Sequence, residues 1–237
     1  MKKNILVAFA AVALVSFQSC NKTMGDGPSI TRNYSLTGFS AVDAGLDGEV
    51  YYTQDSVYKV EIYGQSNILD QIETPIVGGE LKLQFKKFLK IGKHNRIITY
   101  IHSPNITGLR INGSGSMFVN QPIVSGNMSL KVNGSGSINV VSYTGRSISA
   151  DISGSGRITV NGGAVSNSNL QISGSGDIDM LNIESGSVTT NTSGSGNTTI
   201  KVVNVLDVRI SGSGNVYYRG NPSVNANISG SGKVSRI

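Results

Sequence analysis

The chain has 237 residues, of which 30 are glycine and none tryptophan; 14% are charged, 38% are hydrophobic and the formal net charge is +6. So much glycine argues against a helical bundle, while the hydrophobic share is too high for a disordered chain. Part of the positive charge belongs to Lys2 and Lys3 at the extreme N-terminus, and the remainder is too weak to suggest a nucleic-acid-binding protein.

In chain order, the first predicted element is an export signal over residues 1–19. Lys2 and Lys3 make a positive n-region, and ILVAFAAVALV (5–15) is an apolar core too short to span a bilayer as a helix. SFQSC follows, and its Cys20 is the only cysteine in the chain, so no intrachain disulfide can form. SFQSC resembles the lipobox of bacterial lipoproteins, with Ser19 as the small residue before the cut and Phe17 where leucine is usual. The resemblance implies a lipidated Cys20 and an anchor of several acyl chains, at about 0.8 kcal/mol per buried CH₂. The polar, aperiodic NKTMGDGPS (21–29) reads as a linker from the lipid to the folded part.

Residues 30–108 are strand-rich. EVYYTQ (49–54), YKVEIYG (58–64), GELKLQF (79–85) and RIITYI (96–101) have strand character, SNILDQI (66–72) fits a single helical turn, and KKFLKIGKHNR (86–96) is a basic loop. This half is expected to form the opening coils of the core that follows, or a β cap on it.

From residue 109 to 237 the chain repeats itself. GSG recurs with its first glycine at 113, 134, 154, 174, 194, 212 and 230, in steps of 21, 20, 20, 20, 18 and 18 residues. Aligned on that glycine, apolar columns stand on either side of the corner. Ile111, Val132, Ile152, Ile172, Thr192, Ile210 and Ile228 precede it by two residues, and Met117, Ile138, Ile158, Ile178, Thr198, Val216 and Val234 follow it by four. Polar residues fill the alternate places, so each repeat is a strand, a corner and a second strand. A coil of about twenty residues is right for a β-solenoid and too short for a propeller blade. The predicted fold is all-β, a right-handed parallel β-helix with coils ~4.8 Å apart and inward aliphatic ladders. The shortening steps predict a taper toward the C-terminus. The glycine pairs Gly113/Gly115, Gly134/Gly136, Gly154/Gly156, Gly174/Gly176, Gly194/Gly196, Gly212/Gly214 and Gly230/Gly232 are expected to be structural corners with positive φ or close backbone approach. In the fifth coil Thr190, Thr192 and Thr198 replace aliphatics; their hydroxyls are expected to bond neighbouring backbone.

Several chemistries compete with this structural reading. A phosphate loop needs a following helix and often a GK[ST] lysine, but a strand follows every GSG. A calcium β-roll needs an aspartate column, and only one coil supplies Asp177 and Asp179. Hydrolysis has only His94 and His102 as histidine bases, and no GxSxG elbow. The basic loop, with Lys86, Lys87, Lys90, Lys93 and Arg96 around Phe88, Leu89 and Ile91, suits anionic headgroups or acidic polysaccharide; the plainer reading is a solvated loop whose apolar residues fold back on the core. Outward-facing Phe118 and Tyr217 are the only hints of glycan recognition.

The run GFSAVDAGLDGEVYY (38–52), SNILDQIETPIVGGELKLQF (66–85), SPNITGLRINGSGSM (103–117) and the GSG repeats after it resembles the auto-transporter adhesin head GIN domain family of exported bacterial proteins, commonly envelope lipoproteins. That resemblance implies a parallel β-helix and a non-enzymatic, adhesin-like role; it brings no catalytic residues or cofactor. The expectation is an exported outer-membrane lipoprotein, periplasmic or surface-facing, for adhesion or surface structure. A carbohydrate-binding module or glycan-active enzyme on the same scaffold is the alternative. Partners are expected to be the membrane through the lipid, and surface glycans or envelope proteins. The uncovered last coil points to a C-terminal end capped by self-association or by a partner. No cofactor, metal or nucleic acid is expected.

Overall fold

The computed structural model describes residues 22–237, so the export signal and the lipidation candidate Cys20 lie outside the described residues. The chain is 67% strand and winds as a β-solenoid with coils about 20 residues apart. Alternation of aliphatic and polar residues puts each GSG-flanking strand half inside, and in-register parallel pairing hands its backbone groups to the coils on either side. One wall stacks Gly108–Gly113, Asn127–Gly134, Tyr143–Gly154 and Gly163–Gly174, and then the C-terminal parts of Asp177–Gly194 and Asn197–Gly212. The second wall stacks Ser116–Val119, Ser137–Val140, Arg157–Val160 and the coils beyond. Inside, the aliphatic columns are buried as far as Val216. The shorter steps are absorbed between Met180 and Ser187, where the register shifts against the next coil, so the loss falls on the third side and spares both walls.

Each corner follows one rule: the first glycine takes a left-handed backbone and, from Gly134 onward, also presses on the corner beneath, where a Cβ would lie 2.2–2.5 Å from a carbonyl oxygen, while the second meets the close approach alone. The first glycine has φ between 110° and 130° in all seven repeats, a region L side chains avoid. From Gly113 to Gly212 its carbonyl accepts the N–H of the next coil's serine, and at all of these but Gly134 that of the second glycine too, as in Ser135 N→Gly113 O at 3.0 Å and Gly136 N→Gly113 O at 2.9 Å. The second glycines, Gly115, Gly136, Gly156, Gly176, Gly196, Gly214 and Gly232, fall under the other alternative of that expectation, because none of them has a left-handed backbone. Close approach is what excludes a side chain there: a Cβ on any of these seven would lie 2.1–2.6 Å from a carbonyl oxygen of the coil beneath. Stacking backbone on backbone leaves no volume for even a methyl group at that point. The serines between the glycines are exposed along one edge.

The N-terminal half is both opening coils and cap. Ala41–Ala44 runs parallel between Glu80–Phe85 and Gly108–Gly113, and Glu49–Gln54 runs parallel between Ile98–Ser103 and Ser116–Val119. Gly45–Gly48 is therefore a corner without GSG, and the coil formed by 80–103 stacks beneath the one formed earlier in the chain by 41–54. Lys59–Gln65 then pairs antiparallel with Ile98–Ser103, and Ser29–Tyr34 antiparallel with Lys59–Gln65. The helical turn Ser66–Leu69 buries Ile68 and Leu69 completely. The segment read as a linker does not hang free from Lys22 onward: Asn67 Nδ2 donates to Met24 O at 2.7 Å and Gln65 Nε2 to Gly27 O at 3.0 Å. At the other end, Ser223–Gly230 is exposed throughout, with the inward-column residues Val224 and Ile228 uncovered.

The threonine rung departs from expectation as well. Thr190, Thr192 and Thr198 are buried as predicted, but their hydroxyls have no hydrogen-bond partner. The backbone groups around them are already committed to the neighbouring coils. Each Thr→Val change keeps the shape and removes an unsatisfied hydroxyl, so Thr192→Val and Thr198→Val are each expected to stabilise by about 1 kcal/mol in urea unfolding. Gly174→Ala is expected to cost more than about 2 kcal/mol, while Ser175→Ala stays within about 0.5 kcal/mol.

Candidate functional site

Because the interior is a closed aliphatic core, recognition chemistry lies on the outward faces. The first wall carries a trough along the solenoid axis. Its floor is a double column of short polar side chains: Asn127, Ser147, Asn167 and Ser187 beside Ser129, Ser149, Asn169, Thr189 and Asp207, enclosing about 670 Å³. Period-two alternation puts them there, opposite the buried Leu130, Ala150 and Leu170. Side chains bond from coil to coil within the same wall, with Ser147 Oγ→Asn127 Oδ1 at 2.8 Å and Asn133 Nδ2→Asn112 Oδ1 at 2.8 Å. Such a surface offers hydroxyl and amide groups at a fixed axial repeat.

At the N-terminal end of the trough the charges gather. Arg110 Nη1 lies 3.8 Å from Asp43 Oδ2 and 3.6 Å from Glu80 Oε1, and Lys131 Nζ lies 3.6 Å from Asp151 Oδ2. Asn112 Nδ2 donates to Asp43 Oδ1. Burial pushes the Asp43 carboxyl above its ordinary range, with Arg110 pulling it back and Glu80 adding to the rise. Sequence reading did not pair these acids. Asp43 and Glu80 are 37 positions apart and meet only because Ala41–Ala44 and Glu80–Phe85 are neighbouring rungs. With Arg110 against both, the cluster suits hydrogen bonding to a hydroxylated or anionic ligand.

The second wall has an aromatic ladder. Tyr51 stacks on Tyr100 at 5.4 Å and on Phe118 at 5.3 Å between ring centroids, with interplanar angles of 21° and 22°. These are adjacent outward positions on three neighbouring coils. Phe118 was expected to face outward and does; Tyr51 and Tyr100 were missed, since the order of the opening coils is not visible in the sequence. Tyr217 lies farther along the same wall, half-buried. Asp177 meets Arg157 at 2.8 Å and accepts from Asn197. His94 faces Asp47 at 3.2 Å and His102 faces Asp55 at 3.2 Å. The hydrogen bond to His102 holds the exposed Asp55 carboxyl below its ordinary range.

A family model described as "putative auto-transporter adhesin, head GIN domain" matches residues 38–222. A crystal structure of a putative adhesin from Bacteroides fragilis is similar at 25% identity and a TM-score of 0.86, covering 91% of this chain and all of its own. A putative lipid binding protein from Parabacteroides distasonis gives 22% and 0.78 over 92% of this chain and all of its own. A putative adhesin from Parabacteroides merdae gives 20% and 0.74 over 91% of this chain and 99% of its own. The last two likenesses show the fold alone. No curated protein matches the chain.

Asp43 yields a pH prediction. Its raised folded-state pKa means that its contribution to stability is fully present below about pH 3.8 and is lost as pH rises through the raised value. Asp43→Asn should leave the melting temperature unchanged at pH 3 and raise it at pH 7, as read by circular dichroism.

Proposed function

We propose, from the premise that this chain belongs to the putative auto-transporter adhesin, head GIN domain family, that it is a non-enzymatic adhesin-like head on the cell envelope. In this reading it is exported, lipidated at Cys20, and held on the outer membrane facing the periplasm or the surface. The observation that carries the reading is the trough: one face presents the same short hydroxyl and amide groups coil after coil, with a wholly buried aliphatic face behind it. Such a face engages a partner through many shallow polar contacts and suits attachment better than turnover.

Two tests address the two halves of the proposal. Metabolic labelling with a fatty acid should mark the parent and not Cys20→Ala; label in both, or in neither, removes the anchor. Cells displaying the parent should adhere more than cells displaying Ser149→Lys/Asn169→Lys, a change that fills the trough without touching the core. Equal adhesion at equal display and melting temperature would remove the trough as the contact.

One observation favours carbohydrate recognition as a second reading: the Tyr100–Tyr51–Phe118 ladder, with the Arg110 cluster on the other wall, gives aromatic and bidentate groups that sugars use. Glycan-array binding lost in Tyr51→Ala, followed by a turnover assay on any bound glycan, separates a binding module from an enzyme.

A further inference from the structure

The basic loop did not behave as the plainer reading expected. Ile91 folds back on the core, but Phe88 stands wholly in solvent at 103% relative exposure, with φ at 64°. A left-handed backbone is unfavourable for phenylalanine, and here the ring gains no packing in return. Around it, Lys86, Lys87 and Lys93 are exposed and have no carboxylate within 4.0 Å among the described residues. The nearby acids are occupied, Asp47 by His94 and Glu49 by Arg96. The patch therefore combines unneutralised positive charge with a bare aromatic ring.

The path of the chain adds an independent observation. The loop is zipped to the first described residues: Thr23 N donates to Lys90 O at 2.8 Å, Gly92 N to Thr23 O at 2.9 Å and Gly25 N to Lys93 O at 2.9 Å. Lys22, exposed and without a carboxylate partner among the described residues, and half-exposed Met24 thereby join the patch. Asp26 is the one acid in this segment. In the sequence, Cys20 is three residues upstream of Thr23.

We propose that this surface, formed by Lys22, Met24, Lys86, Lys87, Phe88 and Lys93, docks on a bilayer bearing anionic phospholipid headgroups. The lysines lie against the headgroups, and Phe88 enters the interface between headgroups and acyl chains. The proposal deepens the lipid-anchor reading without depending on it. Anchored at Cys20 and docked here, the solenoid is held by two contacts at its capped end.

The absence of tryptophan makes the test direct. The described strands and buried core form one continuous fold within residues 22–237, and a chain of these residues omits both Cys20 and the signal. In it, Phe88→Trp is a single fluorescent reporter. Its emission should shift to the blue with vesicles containing phosphatidylglycerol and stay unshifted with pure phosphatidylcholine. Raising salt from 0.1 M to 1 M shrinks the screening length from about 10 Å to about 3 Å and should reverse the shift. Lys86→Gln/Lys87→Gln/Lys93→Gln should weaken vesicle binding about a hundredfold at low salt. Phe88→Gly should weaken it too, while leaving the melting temperature equal or higher, the opposite of what a packing role predicts. No shift, an equal shift with phosphatidylcholine, or a shift produced only by an acidic polysaccharide would each overturn the proposal. Fatty-acid labelling of the full chain reads the lipidation separately, so either idea can fail alone.

Discussion

The fold depends on the carbonyl oxygen of the first glycine in each corner, which from Gly113 to Gly212 takes the serine N–H of the coil above and, at all of these but Gly134, the second glycine's N–H as well. To bring both donors within reach, successive corners must stack backbone on backbone, and there is no room between them for a side chain. Buried backbone groups left unpaired would be costly, so the corner sets the vertical spacing and register for both walls. With register fixed, an inward position in one coil is inward in every coil, and the aliphatic columns close over one another. A change at a corner glycine is thus a change in how two coils meet, whereas a change at the neighbouring serine alters only the surface.

This separation explains why the polar letters vary so freely. Outward residues face solvent and one another, and many form coil-to-coil contacts: Arg157 with Asp177, Asn215 with Asn197, Asn225 with Asp207. Each is a modest exposed interaction, so many combinations serve equally well for stability. Selection on that face is left to whatever the protein touches. A stack of coils is stabilised chiefly by nearest neighbours, so its ends need covering. The antiparallel strands Ser29–Tyr34 and Lys59–Gln65 do this at one end, replacing a parallel rung that would leave an open edge.

The GSG coils were legible in the sequence because period and alternation reinforced each other over more than a hundred residues. What the letters alone did not separate is why each glycine is there, since a positive φ with a crowded backbone at Gly174 and a crowded backbone alone at Gly176 call for the same residue. The opening coils were legible as strands but not in their order. In the corner Gly45–Gly48 the place of the first glycine belongs to Leu46, which is buried. Leu46 has no positive φ, so this corner turns without the left-handed residue of the GSG corners and a side chain is tolerated; in the coil beneath, the long basic excursion lies between Leu83 and Ile98. Without the glycine signature nothing marked 41–54 as a coil, and the aromatic ladder and the Asp43–Glu80–Arg110 cluster stayed hidden with it. The threonine hydroxyls failed for a related reason. In-register stacking uses up the backbone partners that a looser sheet would have offered them.

The chemistry is placed unevenly, and the repeat accounts for that. A coil that must match its neighbours above and below can change only its outward residues, one at a time, so unlike charges meet there as single coil-to-coil pairs such as Arg157 with Asp177. The capped end is free of that requirement on one side. There the chain leaves the coil path between 55 and 79, and again between 86 and 96, bringing distant residues together. The mixed-charge cluster, the stacked rings and the lysine-rich loop all arise in these first coils, while the later ones carry a nearly uniform polar face. The molecule thus divides into a differentiated base and a regular shaft, and the division follows from how few ways the shaft's coils can depart from one another and still stack.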